Sequence, residues 1–397
     1  MSAEPLSWPA IFGQLIWRFA PVLLALVATF ALSIRYKRRL GLYGKLFDSP
    51  VGMIGLVLVL FWVYTAFFAG VFDLVATHDP LAQSAMMKKA PPGTPYGKLI
   101  GAASPDAGAY YLLGGDNLGR DVFSRMIAGS IKVILIAPFA TVFAFMVGIT
   151  LGLPAGYYGG RLDTVLSFLS NLVLAFPVIL LFYLLVTPEI VLTGIPVYMA
   201  AVLFVFPILF LVVLWNARYR TQPGKRNLLV AVTLVLGLWI YLGIAWDADP
   251  LGVIHFPPNL LVVFVAVVFV NAPTVFRIVR GLVLDIKTRD YVAAAQTRGE
   301  GPWYIMLWEI LPNARGPLLV DFCLRIGYTT ILLGTLGFFG LGLESESPDW
   351  GKMIIDGRRL LSANILHIAI PPALALLSLV LGLNFLADGL REESLRD

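Results

Sequence analysis

Asp290-Tyr-Val-Ala-Ala-Ala-Gln-Thr-Arg-Gly299-Glu-Gly-Pro-Trp-Tyr-Ile-Met-Leu-Trp-Glu-Ile-Leu-Pro312 is the stretch that decides how this chain is read. It is polar at its start, helix-prone and punctuated by glycine and proline, yet apolar runs of membrane length flank it on both sides. Thr288 or Asp290 can cap a helix start, and the alanine run leading to Arg298 favours a helix. Gly299 suits the left-handed position just past a helix end. Gly301 and Pro302 then open a second helix, with proline at its tolerated first position. In it Trp303, Met306, Leu307 and Ile310 fall at i, i+3, i+4 and i+7, a single apolar stripe, before Pro312 ends it. The spacing predicts two short helices with a tight joint. A loop this elaborate is where a spanning protein meets soluble partners.

The flanking runs set the class. Of 397 residues, 59% are hydrophobic and 13% charged, with mean hydropathy +0.84. A soluble core needs far less apolar surface, so the composition predicts a polytopic membrane protein. The net charge of +5 is then explained by Lys and Arg gathered in cytoplasmic loops, and a nucleic-acid partner is not expected. The lone Cys323 lies in an apolar run and excludes an intrachain disulfide. His78, His255 and His367 are too far apart to read as metal ligands. The nearest approach to a phosphate-binding loop, Gly93-Thr-Pro-Tyr-Gly-Lys98, has too few residues between its glycines and Leu99 in place of Ser or Thr. If ATP drives this protein, another chain must hydrolyse it.

A helix crosses about 30 Å of hydrocarbon with about 20 apolar residues. The candidate spans are Leu15–Ile34, Val51–Val75, Ile131–Gly156, Leu162–Val186, Ile195–Asn216, Leu228–Trp246, Pro258–Phe276, Pro317–Leu341 and Ile365–Leu386. With the N-terminus outside, inside loops carry eighteen Lys and Arg and outside loops eight. That bias predicts Asp290–Pro312 to be cytoplasmic. A span count changed by one would spoil it. Leu15–Ile34 is read as a retained helix and not a signal peptide, because Glu4 replaces a basic start and Arg35–Arg39 acts as a stop. Thr77–Ser130 and Glu344–Ala363 become outside loops.

With its order from Tyr291 through Gly299 to Leu311-Pro312, the loop resembles the cytoplasmic "EAA" loop of ABC importer permeases. More closely, the chain resembles the second, C-type membrane subunit of dipeptide/oligopeptide importers. Leu113-Gly-Gly-Asp-Asn-Leu-Gly-Arg-Asp-Val-Phe-Ser-Arg125 matches a signature of that family, with Gly115 where Thr is usual. Gly156-Tyr-Tyr-Gly-Gly-Arg-Leu-Asp163, Leu174-Ala-Phe-Pro177, Leu336-Gly-Phe-Phe-Gly-Leu-Gly342 and Pro348-Asp-Trp-Gly351 follow in the right order. Ala293 stands where the family's eponymous Glu is expected. The match runs from about Ser49 to the C-terminus and is interrupted around Pro188–Asp249.

The resemblance implies an all-α integral membrane bundle, a type I permease core of six helices plus about three extra ones. Residues 1–48 would hold the extra N-terminal helix and a linker, and residues 49–130 the first core helix and a long outside loop. Residues 131–397 would form the permease domain, with a helix pair inserted at about 190–250 and a coupling loop at 285–316. The added helices are expected to lie peripheral to the pathway. The resemblance further implies a bacterial inner-membrane location, a second homologous permease, two ABC ATPases carrying ATP and Mg, and an extracytoplasmic binding protein. No cofactor, metal or catalytic residue is implied for this chain. Cargo in the family ranges over peptides, metal chelates, opines and sugars. Coupling to the ATPase would fall to Asp290, Tyr291, Ala293, Ala294, Ala295, Arg298, Gly299, Trp303, Ile310, Leu311 and Pro312.

Other residues carry a functional and a structural reading side by side. Gly148, Gly152 and Gly156 suit close helix packing, within the subunit or between subunits. Asp321 and Arg325 can line a pathway or pair with each other. Pro177 can serve gating as a kink, or simply be tolerated. Asp116, Arg120 and Asp121 can touch a binding protein or cap the helix that follows. A secondary transporter or channel would instead carry charges at midspan and broken helices in internal repeats. A membrane enzyme would need a converging catalytic constellation, which the spans do not show.

Overall fold

The computed structural model describes residues 4–96, 110–246, 248–249, 251–253, 257–341 and 347–394. His255, Lys98, Gly342, Glu344 and Arg396 lie outside the described residues. Without water to satisfy the backbone, the long apolar runs form helices, whose hydrogen bonds close within each segment. They are α1 (Trp8–Arg18), α2 (Ala20–Tyr36), α3 (Pro50–Phe72), α4 (Val122–Tyr158), α5 (Gly160–Leu174), α6 (Val178–Val186), α7 (Ile195–Leu203), α8 (Val205–Arg218), α9 (Pro223–Trp246) and α10 (Pro258–Ile286). The short α11 (Asp290–Thr297) and α12 (Pro302–Tyr304) precede α13 (Arg315–Phe338), α14 (Trp350–Arg358) and α15 (Ile370–Ser394).

Several boundaries differ from the expected spans. α4 starts at Val122, not Ile131, and its 37 residues extend about 55 Å, well beyond the hydrocarbon. The expected continuous span Leu162–Val186 is instead two helices, α5 and α6, bent by 81°. Pro177 flanks the break and is not a mid-helix kink. Lacking an N–H and clashing with the preceding turn, proline ends α5 and lets α6 begin anew. α10 continues ten residues past Phe276. α15 starts at Ile370 because Pro371 and Pro372 are tolerated only in a first turn.

Two compact units divide the chain. In the first, Met1–Ala137 with Ile326–Asp397, α3 packs on α15 through small residues. A Cβ on Gly55 would lie 2.4 Å from the Leu386 nitrogen, and one on Gly389 2.5 Å from the Gly52 Cα. Trp350 is buried, its indole donating to the Met126 carbonyl at 2.8 Å and meeting Trp62 edge-on. Asp349 caps α14 by accepting from Lys352 N at 3.0 Å. Burial keeps its carboxyl above the ordinary range, against the pull of the amides it accepts from. A two-residue antiparallel ladder pairs Thr94–Pro95 with Tyr110–Tyr111.

In the second unit, Pro138–Arg325, the glycine stripe of α4 lies on α10. Added Cβ atoms at Gly148, Gly152 and Gly156 would each lie within 3 Å of Val275, Val279 and Val283 respectively. The four-residue spacing on both helices lets ridge meet groove. The stripe thus packs inside the subunit. Phe143 of α4, Phe204 beside α7 and Phe264 of α10 form an edge-to-face trio with centroids 5.3–5.7 Å apart. α8 and α9 form a hairpin, with the Trp215 indole donating to Thr233 Oγ1 at 3.1 Å.

Candidate functional site

The Asp290–Pro312 segment folds as two short helices, and its turn chemistry explains the joint. Gly299 has φ +78°. Its N–H donates to Gln296 O at 3.0 Å, and Glu300 N donates to Ala295 O at 3.2 Å. These two bonds close α11 as a Schellman motif, which needs a left-handed residue where only glycine is unstrained. The expected caps differ. Arg289 is the residue before α11 and makes no side-chain cap. The Thr288 hydroxyl donates instead to Asp285 O at 2.8 Å. Asp290 sits in the first turn, where its negative charge complements the helix dipole.

Pro302 opens α12, and residues Ile305–Ile310 form one π turn, with Leu311 N donating to Met306 O at 2.9 Å. The wider turn absorbs the approach to Pro312, whose ring cannot follow a regular helix. Of the expected stripe, Met306, Leu307 and Ile310 are buried and Trp303 is half-buried, while the π turn adds Ile305 to the buried face. Val292 and Ala295 of α11 are also fully buried. They share one apolar cluster with Leu153 of α4 and Val279, Val283 and Ile286 of α10. On the opposite side of α11, Tyr291, Ala293, Ala294, Gln296, Thr297, Arg298 and Gly299 are exposed. Ala295 and Ile310 therefore anchor the segment, and Tyr291, Ala293, Ala294, Arg298 and Gly299 form its outward face. Leu311 is half-buried and Pro312 exposed.

Polar contacts that leave no local sequence signal fix the segment. Lys287 Nζ donates to the Gly156 carbonyl at 2.8 Å, near the end of α4, where carbonyls lack helical partners. Gln296 Nε2 donates to Tyr157 Oη at 3.3 Å, and Arg298 pairs with Glu309 at 2.9 Å. Arg280 of α10 makes a bidentate pair with Asp163 of α5. The Arg218 guanidinium, at the end of α8, stacks over the Trp308 ring at 4.6 Å.

These contacts also bear on the path of the chain. Among the described residues, eight helical stretches, α7 and α8 together forming one of them, are long and apolar enough to span, and the bent α5–α6 pair makes nine if it is one span. The ends of α4, α8 and α10 all meet the Asp290–Pro312 segment, so they lie at one end of this unit. α5 starts at that end beside α4, whereas α7 starts at the far end and leads through α8 back to it. The α5–α6 pair, bent by 81°, therefore leads from one end of this unit towards the other.

The remaining candidate residues are committed to internal partners. Asp116 accepts from Leu118 N and Arg120 N and pairs with Arg120 Nε at 2.6 Å. Asp121 caps α4 through Ser124 N at 3.0 Å and accepts from Thr77 Oγ1 at 2.8 Å. Asp116, Arg120 and Asp121 are all buried. Arg325 makes two bonds to Asp321, at 2.6 and 3.0 Å. Among the described residues no three His, Cys, Asp or Glu side chains gather as a metal site.

Comparison with known proteins places this arrangement. The chain is 26% identical over 350 residues to the dipeptide transport system permease protein DppC of Alkalihalophilus pseudofirmus, covering 88% of this chain and 87% of the relative. It is 27% identical over 344 residues to the probable D,D-dipeptide transport system permease protein DdpC of Escherichia coli, covering 87% of each. It is 30% identical over 282 residues, 70% of each chain, to the glutathione transport system permease protein GsiD of Escherichia coli O6:K15:H31. The family described as binding-protein-dependent transport system inner membrane component matches residues 148–392, which include the α4 glycine stripe, the Asp290–Pro312 segment and most of α15. This multi-pass, non-enzymatic ABC permease chain belongs to that family of inner membrane components.

Proposed function

We propose that this permease moves a peptide or similar small solute into the cytoplasm, receiving it from an extracytoplasmic binding protein and working beside a second, similar permease. Two ATPases, carrying ATP and Mg, dock on the cytoplasmic side against the exposed face of α11. What carries the reading is the two-sidedness of α11: Val292 and Ala295 lock inward while Tyr291, Ala294 and Arg298 face out. A push on that face reaches α10 through the shared apolar cluster and α4 through Lys287 and Gln296. Closure of the ATPases then tilts these packed helices between inward- and outward-open states, each with its own affinity for the solute. The excess of Lys and Arg in loops on that side supports the orientation. The dipeptide and glutathione relatives support peptide-class cargo.

The test is uptake by proteoliposomes holding the permease pair, the ATPases and the binding protein, loaded with ATP and offered a di- and tripeptide panel. Uptake that needs both ATP and the binding protein is the expected result. Accumulation driven by an ion gradient without the ATPases would contradict the reading.

A further inference from the structure

We propose that the α8–α9 hairpin is a brace for the ATPase-docking segment, with Arg218 as its positioning residue. The inference rests on the docking role given above to Asp290–Pro312. The hairpin could have been a bystander, since the family resemblance is interrupted where it lies. Its contacts argue otherwise. At the end of α8, Ala217 is buried in the same cluster as Ile305, Met306, Leu307 and Ile310, and Phe210, Val213 and Leu214 pack against that cluster. The Arg218 guanidinium covers the Trp308 ring at 4.6 Å. Two residues on, the Arg220 guanidinium lies 3.6 Å from where a Cβ on Gly301 would be, beside the α11–α12 joint. One arginine thus contacts the π turn, and the other lies beside the joint.

The hairpin is built to hold that position. Trp215 is tied to Thr233 of α9, and α8 and α9 touch where a Cβ on Gly237 would lie 3.0 Å from Ile208. At the other end, the Tyr241 hydroxyl donates to Ala201 O of α7 at 3.1 Å, and the Phe143, Phe204 and Phe264 trio anchors the start of the hairpin on α4 and α10. A cation at the C-terminal turn of α8 also complements the helix dipole. That role alone makes no contact with the docking segment, so ATPase affinity separates the two functions of Arg218.

The experiment uses the reconstituted full complex and titrates the ATPase against Arg218→Ala, Arg218→Lys, Trp308→Leu and the Arg218→Ala/Trp308→Leu double variant. For Arg218→Ala we expect roughly two- to fivefold weaker apparent ATPase affinity, the scale of an exposed cation–aromatic contact, with the maximal hydrolysis rate unchanged. Arg218→Lys should restore most of the affinity, and the double variant should be no worse than Trp308→Leu alone. If Arg218→Ala lowers membrane abundance, Arg218→Gln keeps the stem, removes the charge and carries the same test. Unchanged affinity in Arg218→Ala, or fully additive losses in the double variant, would overturn the brace. Gly299→Val in the same titration separates the two claims. If it weakens docking and Arg218→Ala does not, only the brace fails. If neither does, the docking role of the segment fails.

Discussion

Gly152 of α4 and Val279 of α10 are in direct contact, for a Cβ on Gly152 would lie 2.9 Å from the Val279 Cβ. The two backbones can approach this closely only because α4 is bare along this line. Gly152→Leu should therefore cost roughly 1–3 kcal/mol by overpacking and lower the melting temperature of the purified permease. Gly281, on α10 with nothing within 4 Å of its added Cβ, is the control. Gly281→Ala should be neutral or stabilising by up to about 1 kcal/mol. Thermal unfolding in detergent measures both. An unaffected Gly152→Leu would move the stripe from the subunit interior to a subunit–subunit contact.

The Asp321–Arg325 pair gives a second measurement. Arg325→Met strands a carboxylate in a membrane span and should cost about 3–5 kcal/mol, visible as reduced membrane abundance. Asp321→Leu with Arg325→Met removes both charges and should recover abundance and uptake. A double variant that inserts normally yet transports nothing would assign the pair to the solute path.

Gly299→Val probes the joint. Because no atom lies within 4 Å of an added Cβ, its cost is the left-handed backbone alone, about 1–2 kcal/mol. The spans do not depend on this joint, so insertion should be normal while ATPase association weakens and uptake is lost. Ala293 is exposed, and Ala293→Glu should be tolerated, since it restores the acidic residue of the resembled motif. Membrane level, co-purified ATPase and solute-stimulated ATP hydrolysis separate these outcomes.

The sequence made legible whatever is local. Apolar runs marked the membrane helices, and a single glycine, Gly299, located the end of α11 because few residues accept its backbone angles. Pro177 marked a disturbance, but its size, a bend of 81°, depends on packing that one proline does not encode. The N-terminal extension of α4 was hidden because Arg125, a charge, is fully buried there. Lys287 and Arg218 were missed as site residues for a related reason. Their partners, Gly156 and Trp308, are 131 and 90 positions away, and neither is a charged residue whose complement could be sought.

Cross-linking from position 294 tests the central claim most directly. Ala294 lies on the exposed face of α11. In a Cys323→Ala background, which removes the chain's one native thiol, Ala294→Cys can carry a photoreactive benzophenone. Irradiation of the assembled complex should join the permease to the ATPase, and the thiol should resist impermeant reagents applied outside intact cells. Labelling from outside, or a cross-link to the extracytoplasmic binding protein in place of the ATPase, would contradict the account.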